Sequence, residues 1–210
     1  MKNQEENTSK QFNKWSKTYD VMPWNYCNFY FTNKKVISTL NPKAGSSFLD
    51  VGCGTGILLE QLTKLDRGLK LSGLDLSEGM LSVARQKLDK YSGCRDIRLG
   101  SVAKLPYEDN SFDYVSCVHS FHHYPDSLQS LREMRRVLKP NGKLLLADVS
   151  LDGPFRPLFQ KIEQRLFPER ESNIQRYTKD KMKELLDKEG FKNIKQEYFS
   201  YFVLFNLGEK

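Results

Sequence analysis

From residue 46 to residue 149, short apolar runs alternate with longer stretches in which apolar residues recur at helical spacing. The runs at 46–51, 69–74, 95–100, 112–118 and 142–149 predict strands, and the stretches at 56–65, 77–90 and 126–138 predict helices between them. Ser77 is a good N-cap for the second of these helices, and Pro140-Asn141-Gly142 marks a turn before the last strand. Strand–helix alternation of this kind predicts an α/β fold, a mostly parallel sheet with helices on both faces.

The flanks have a different pattern. Residues 8–40 are rich in aromatics and predict one or two helices, with Phe12, Trp15 and Tyr19 three and four residues apart on one stripe. Asn41-Pro42-Lys43-Ala44-Gly45 reads as a linker. Beyond residue 150, Phe155, Leu158, Phe159, Ile162 and Leu166 form an amphipathic stripe framed by Pro154, Pro157 and Pro168. Thr178 caps a predicted helix over 179–189 that Gly190 ends. Phe191 to Phe205 suits two strands joined near Ser200, antiparallel at the sheet edge. The expected organisation is a single domain over 1–210: a helical lid (1–45), a core (46–150), an insert (151–177), and a final helix with strands (178–210).

Composition narrows the class. The 210 residues are 39% hydrophobic and 28% charged, and no run approaches the ~18 apolar residues of a membrane span. Met1 to Lys10 is polar and has no apolar signal core, so a cytoplasmic protein is expected. Cys27, Cys53, Cys94 and Cys117 are scattered without a CxxC pair, which argues against zinc or a disulfide framework. The net charge of +7 is interleaved with acids along the chain. That favours a solvated basic surface over a nucleic-acid footprint.

The chemistry concentrates at Asp50-Val51-Gly52-Cys53-Gly54-Thr55-Gly56. A strand, a glycine-rich turn and a helix start bring bare backbone close to a ligand, because glycine has no side chain and tolerates positive φ. The turn's N–H groups and the helix start offer polar contacts. Asp75 follows the next apolar run, about 20 residues on, where an acid can grip ribose hydroxyls.

Four motifs in order carry a resemblance: Phe48-Leu49-Asp50-Val51-Gly52-Cys53-Gly54-Thr55-Gly56, then Gly73-Leu74-Asp75-Leu76-Ser77 with Met80-Leu81, then Leu105-Pro106-Tyr107 with Ser111-Phe112-Asp113, then Arg136 to Lys143. The chain resembles the class I S-adenosylmethionine-dependent methyltransferases, in the branch that includes the ubiquinone and menaquinone C-methyltransferases. The resemblance implies a Rossmann-like sheet of seven strands with an antiparallel strand near the C-terminal end and a helical N-terminal lid. It implies S-adenosyl-L-methionine as cofactor, held by Asp50, Gly52, Cys53, Gly54, Gly56, Asp75, Leu76, Met80, Ser101, Val102, Cys117 and His119. Ser101 departs from the family, which often carries an acid or amide there for the adenine amine; adenine recognition would then rest more on the Val102 N–H. Trp15-Ser16-Lys17-Thr18-Tyr19-Asp20 looks like the family's lid segment.

Candidate catalytic residues are His119, Tyr19 and His122, the histidines belonging to a cluster with His123 and Tyr124. No metal site is expected. Methyl transfer by in-line displacement needs alignment rather than a catalytic triad. The expected acceptor is a small, partly apolar or aromatic molecule. Its pocket would be walled by Trp15, Tyr19, Trp24, Tyr26 and Phe29 and by Phe155, Leu158, Phe159 and Ile162, with Arg156, Arg165, Arg170 and Arg176 as candidate anion holders. The alternatives are an RNA or protein acceptor, a cofactor-binding protein without transfer activity, and a nicotinamide-dependent dehydrogenase, whose third glycine would fall where Ile57 stands. A monomer or a homodimer is expected.

Overall fold

The sheet order is β3-β2-β1-β4-β5-β7-β6 in the computed structural model, which describes residues 2–20, 23–91, 95–150, 152, 175–199 and 203–210. Its strands are β1 (Ser47–Val51), β2 (Lys70–Asp75), β3 (Arg95–Leu99), β4 (Phe112–Val118), β5 (Leu138–Val149), β6 (Lys192–Phe199) and β7 (Val203–Glu209). The first five run parallel, and β7 lies antiparallel between β5 and β6. The chain steps outward from β1 to β3, then crosses back to place β4 on the other side of β1. That reversal opens a crevice above the carboxyl ends of β1 and β4, where ligands bind in open α/β sheets.

The helices are α1 (Lys2–Trp15), α2 (Pro23–Leu40), α3 (Ile57–Thr63), α4 (Glu78–Leu88), α5 (Ser127–Val137) and α6 (Lys179–Lys188). Side-chain alternation along β1 builds two cores. Leu49 and Val51 join Leu131 and Met134 of α5 and Leu186 of α6; Phe48 joins Val36 of α2, Leu59 and Leu62 of α3, and Leu81 of α4. These side chains are buried almost completely, each stabilising by about 1.5–3 kcal/mol.

Several helix starts are capped as their sequence requires. The Ser77 hydroxyl accepts from Met80 N (3.2 Å), the Asp126 carboxylate from Gln129 N (2.9 Å), and Thr178 from Lys181 N (3.1 Å). Four boundaries differ from the pattern, the first being that α1 begins at Lys2 rather than near residue 8. The aromatic stripe does not stay on one helix, because α1 stops at Trp15 and Tyr19 follows in a turn, still beside Phe12 (6.2 Å between ring centroids). The Pro140-Asn141-Gly142 turn is absorbed into β5 as a bulge, with Leu138 opposite Phe112 but Lys143 opposite Tyr114. The last strand runs on to Glu209, past the expected end at residue 205. The joint near Ser200 and most of the insert, including Phe155, Leu158, Phe159, Ile162, Arg156, Arg165 and Arg170, lie outside the described residues. The side chains of Trp24, Tyr26 and Cys27, and Cys94, lie outside them as well. No helix among the described residues is long and apolar enough to cross a membrane.

Candidate active site

Asp50, near the end of β1, is buried, and its Oδ1 accepts a hydrogen bond from the Ser116 hydroxyl of β4 (2.6 Å). Burial pushes its carboxyl up to about 7, against the pull of Ser116 and with a further push from Asp75. Asp75 ends β2. Its Oδ2 accepts from Gly54 N (2.8 Å) and its Oδ1 from Ser77 N (2.9 Å), yet burial still leaves its carboxyl above the usual range. Each oxygen of Asp75 keeps further acceptor capacity.

The glycine turn joins the two acids. Gly52, Gly54 and Gly56 all have positive φ (72°, 52° and 75°). A Cβ at Gly52 would lie 2.1 Å from the Ser120 hydroxyl and 2.8 Å from the Tyr124 hydroxyl, whereas one at Gly54 would meet nothing within 4 Å. The turn thus packs tightly on one side and opens on the other. Four of its N–H groups have partners: those of Gly52 and Cys53 donate to Leu74 O, that of Gly54 to Asp75, and that of Gly56 to Cys53 O. These four N–H groups are thus already engaged within the fold. What the turn presents is bare Cα surface and carboxylate.

These residues border a cavity of about 1030 Å³, open solvent at its mouth included. Its cover is α1 and the turn after it. The Ser9 hydroxyl donates to Leu76 O (3.0 Å), and Asn13 Oδ1 accepts from the Ser77 hydroxyl (2.7 Å) and Gly79 N (2.8 Å). Asp20 accepts from the Thr55 hydroxyl (2.7 Å) and pairs with Lys87 (2.6 Å). Aromatic rings continue the wall: Tyr19 stacks on Phe29 (5.5 Å), and Phe29 meets His119 edge to face (5.1 Å). Phe12 meets His123 in the same way (5.2 Å).

His119 has a positive φ of 51°, and its Nε2 lies 3.3 Å from the Thr32 hydroxyl of α2. Burial holds its imidazole down to about 4, so it is neutral at neutral pH. Glu5, Asp50 and Asp75 line the cavity, and no Lys or Arg among the described residues does. Such a cavity suits a ligand carrying positive charge and opposes a pyrophosphate. No group of three or more His, Cys, Asp or Glu side chains suited to a metal ion occurs among the described residues.

Known proteins resemble this chain in sequence and in fold. Residues 49–146 match the family described as a methyltransferase domain. The chain is 34% identical over 187 residues to the demethylmenaquinone methyltransferase of Staphylococcus haemolyticus, covering 80% of this chain and 77% of that one. The chain belongs to the class I S-adenosylmethionine-dependent methyltransferases. To the demethylmenaquinone methyltransferase of Bacillus subtilis it is 35% identical over 187 residues, 79% of each chain. In fold it is similar to a SAM-dependent methyltransferase from Thermotoga maritima, with a TM-score of 0.76 at 20% identity, over 96% of this chain and 99% of that one. The methyltransferase is thus an enzyme that uses S-adenosylmethionine, related to the quinone methyltransferases.

Of the residues singled out in the sequence, Asp50, Gly52, Cys53, Gly54, Asp75, Leu76, Met80, Ser101, Val102, His119 and Tyr19 line the cavity of the methyltransferase. Gly56, Cys117 and His122 do not. Gly56 is the left-handed N-cap of α3, where a Cβ would crowd Ala84 at 3.1 Å. Cys117 is fully buried in the core, with its thiol 3.5 Å from the Tyr124 hydroxyl. His122 pairs instead with buried Asp148 (Nδ1 to Oδ1, 2.6 Å). Burial pushes the Asp148 carboxyl up, but His122, His119 and the Val149 N–H together outweigh it and leave it below the usual range. His123, adjacent in sequence, faces the cavity. Glu5, Ser9, Asn13 and Thr32 were not legible as site residues, since polar positions on an amphipathic helix reveal a face but not its partner.

Proposed function

We propose that this methyltransferase transfers a methyl group to a small, partly apolar acceptor of the quinol type, by in-line displacement inside the cavity beneath α1. The observation that carries the reading is one cavity lined both by the acids at the ends of β1 and β2 and by the rings of Phe12, Tyr19 and Phe29. The curated relatives named as demethylmenaquinone methyltransferases support the acceptor class.

The residues fit the cofactor. Three carboxylates without an opposing Lys or Arg suit its cationic groups, and the open side of Gly54 gives bare backbone for close approach. Asp75 would take the ribose hydroxyls with its remaining acceptor sites, and Asp50 the ammonium. Leu76, Met80 and Val102 would pack against the purine. When bound, S-adenosylmethionine supplies a methyl group on a sulfonium already activated toward displacement.

The protein's share is alignment and exclusion of water, and alignment alone can lower a barrier by about 7–11 kcal/mol. Tyr19 and Phe29 present ring faces or edges on the acceptor side, where an aromatic face near a cation is favourable. His119 can accept a hydrogen bond without adding a second positive charge to the site, because burial keeps it neutral. His122 is then a positioning residue held by Asp148 at the turn that carries His123.

The test is transfer of label from methyl-labelled S-adenosylmethionine to a panel: a short-chain demethylmenaquinol under reducing conditions, a catechol, an indole and bulk RNA. Label is expected on the quinol. Label on RNA alone, falling steeply with salt, would overturn the acceptor class.

A further inference from the structure

Ser101 stands just past β3 and lines the cavity, and its hydroxyl donates to Glu5 Oε1 of α1 at 2.5 Å. The same hydroxyl accepts from Ala103 N (3.1 Å), so its orientation is held from both sides. Ser101 offers the cavity no charge of its own. The charge arrives from 96 residues away in sequence, on the face of α1 that Glu5, Thr8, Ser9 and Phe12 present to the cavity at i, i+3, i+4 and i+7. We propose that Glu5 is the acceptor for the exocyclic amine of the cofactor's purine, so that closure of α1 and identity of the base are read by one carboxylate. This rests on the placement of the nucleoside in the cavity given above.

Three observations support it. The first is stoichiometric. A carboxylate accepts only, and the Ser101 hydroxyl occupies one of about four acceptor sites, leaving others for an N–H donor. The second is spacing. Asp75 is the register partner of Leu99, and Ser101 lies two residues beyond it. At about 3.3 Å per strand residue that is roughly 7 Å, comparable with the span from a ribose hydroxyl to the far edge of its purine. The third is the way α1 is fastened. Ser9 and Asn13 bind the turn after β2, and Glu5 binds the turn after β3, so α1 is tied to two loops that border the nucleoside. A ligand group shared between Glu5 and these loops would favour the closed arrangement, a coupling set by the ligand's differential affinity.

The experiment is equilibrium binding, followed by calorimetry, of two ligands: S-adenosylhomocysteine, and the analogue with hydrogen in place of the purine amine. The wild-type chain is expected to prefer the amine-bearing ligand by about 10- to 100-fold, the range of a hydrogen bond to a charged group. Glu5→Ala should weaken S-adenosylhomocysteine by that factor and leave the deaminated analogue within about threefold, so that the preference collapses. Glu5→Gln, which keeps a carbonyl acceptor without the charge, should restore part of it. Asn13→Ala loosens α1 without touching the purine, and should weaken both ligands equally with the preference intact. If Glu5→Ala weakens both ligands equally, Glu5 only fastens the lid and the proposal is wrong. If the wild type binds neither ligand, the nucleoside placement itself fails.

Discussion

Asp50 and Asp113 lie on adjacent strands of one sheet, β1 and β4, at opposite ends, and their surroundings are opposites. Asp113, at the amino end of β4, receives Lys139 Nζ (2.8 Å) and the amide and hydroxyl of Ser47 (2.8 and 2.7 Å). Its partial burial pushes the carboxyl up, but those partners outweigh it and hold it down at about 2. Asp50, near the carboxyl end of β1, has one hydroxyl partner, no cation and a second acid nearby, and is pushed up to about 7. At one end the charge is answered within the fold. At the other it is left for a ligand to answer. Unmet charge at the carboxyl ends of the strands, rather than the sheet itself, distinguishes the part of this molecule to which we assign the chemistry.

The comparison can be broken most severely at Gly52. Gly52→Ala should destabilise the chain by about 2–4 kcal/mol, since the new methyl overlaps Ser120 and Tyr124 and φ is positive. Gly45→Ala, at the same sign of φ but with nothing within 4 Å, should cost clearly less in the same denaturant titration. Next is Asp75→Ala, expected to reduce S-adenosylhomocysteine affinity by about 10- to 100-fold in calorimetry; unchanged affinity would remove Asp75 from the ribose.

Asp50→Asn tests the sign of the unmet charge. The folded pKa of Asp50, about 7, lies above its ordinary value of 3.8. The stability tied to its protonated form is therefore complete below pH 3.8 and lost as pH rises through about 7. At pH 8 the variant should be more stable than wild type by about 2 kcal/mol. That is roughly half of what 1.36 kcal/mol per pKa unit implies, because a buried amide also needs partners. Cofactor affinity of the wild type should rise with pH through about 7, as Asp50 ionises, and this rise should vanish in Asp50→Asn. The smallest effect is at the other end. Asp113→Asn should cost about 1 kcal/mol at pH 7 in thermal or urea unfolding, discounted for its partly exposed, solvent-screened pair. Because the pKa of Asp113 is lowered, that contribution should be present above pH 3.8 and disappear as pH falls through about 2.

Much of the fold was legible because its signals are local. The Ser77 cap, the strand runs and the glycine turn each act within a few residues, and each element forms within a residue or two of where its pattern lies, apart from α1, β5 and the C-terminal strand. The β5 bulge was hidden because Pro140-Asn141-Gly142 has turn chemistry, while Lys143 onward and Leu138 both pair with β4. At the site, Asp50 and Asp75 were legible since strand ends and their spacing follow from the alternation. His122 and His123 were not separable: neighbours in one short turn face opposite partners, and only the position of Asp148, 26 residues on, decides which enters the cavity.

The order of strand, glycine turn, acid, strand, acid was written in the linear pattern, because hydrophobic period and backbone permissiveness at glycine act over a few residues. Which carboxylates face one another, which histidine looks inward, and that Glu5 meets Ser101 were decided only when α1 and β5 packed against the sheet. Those contacts join residues far apart in the chain, and a polar side chain on an amphipathic surface carries no local mark of the partner that folding brings to it.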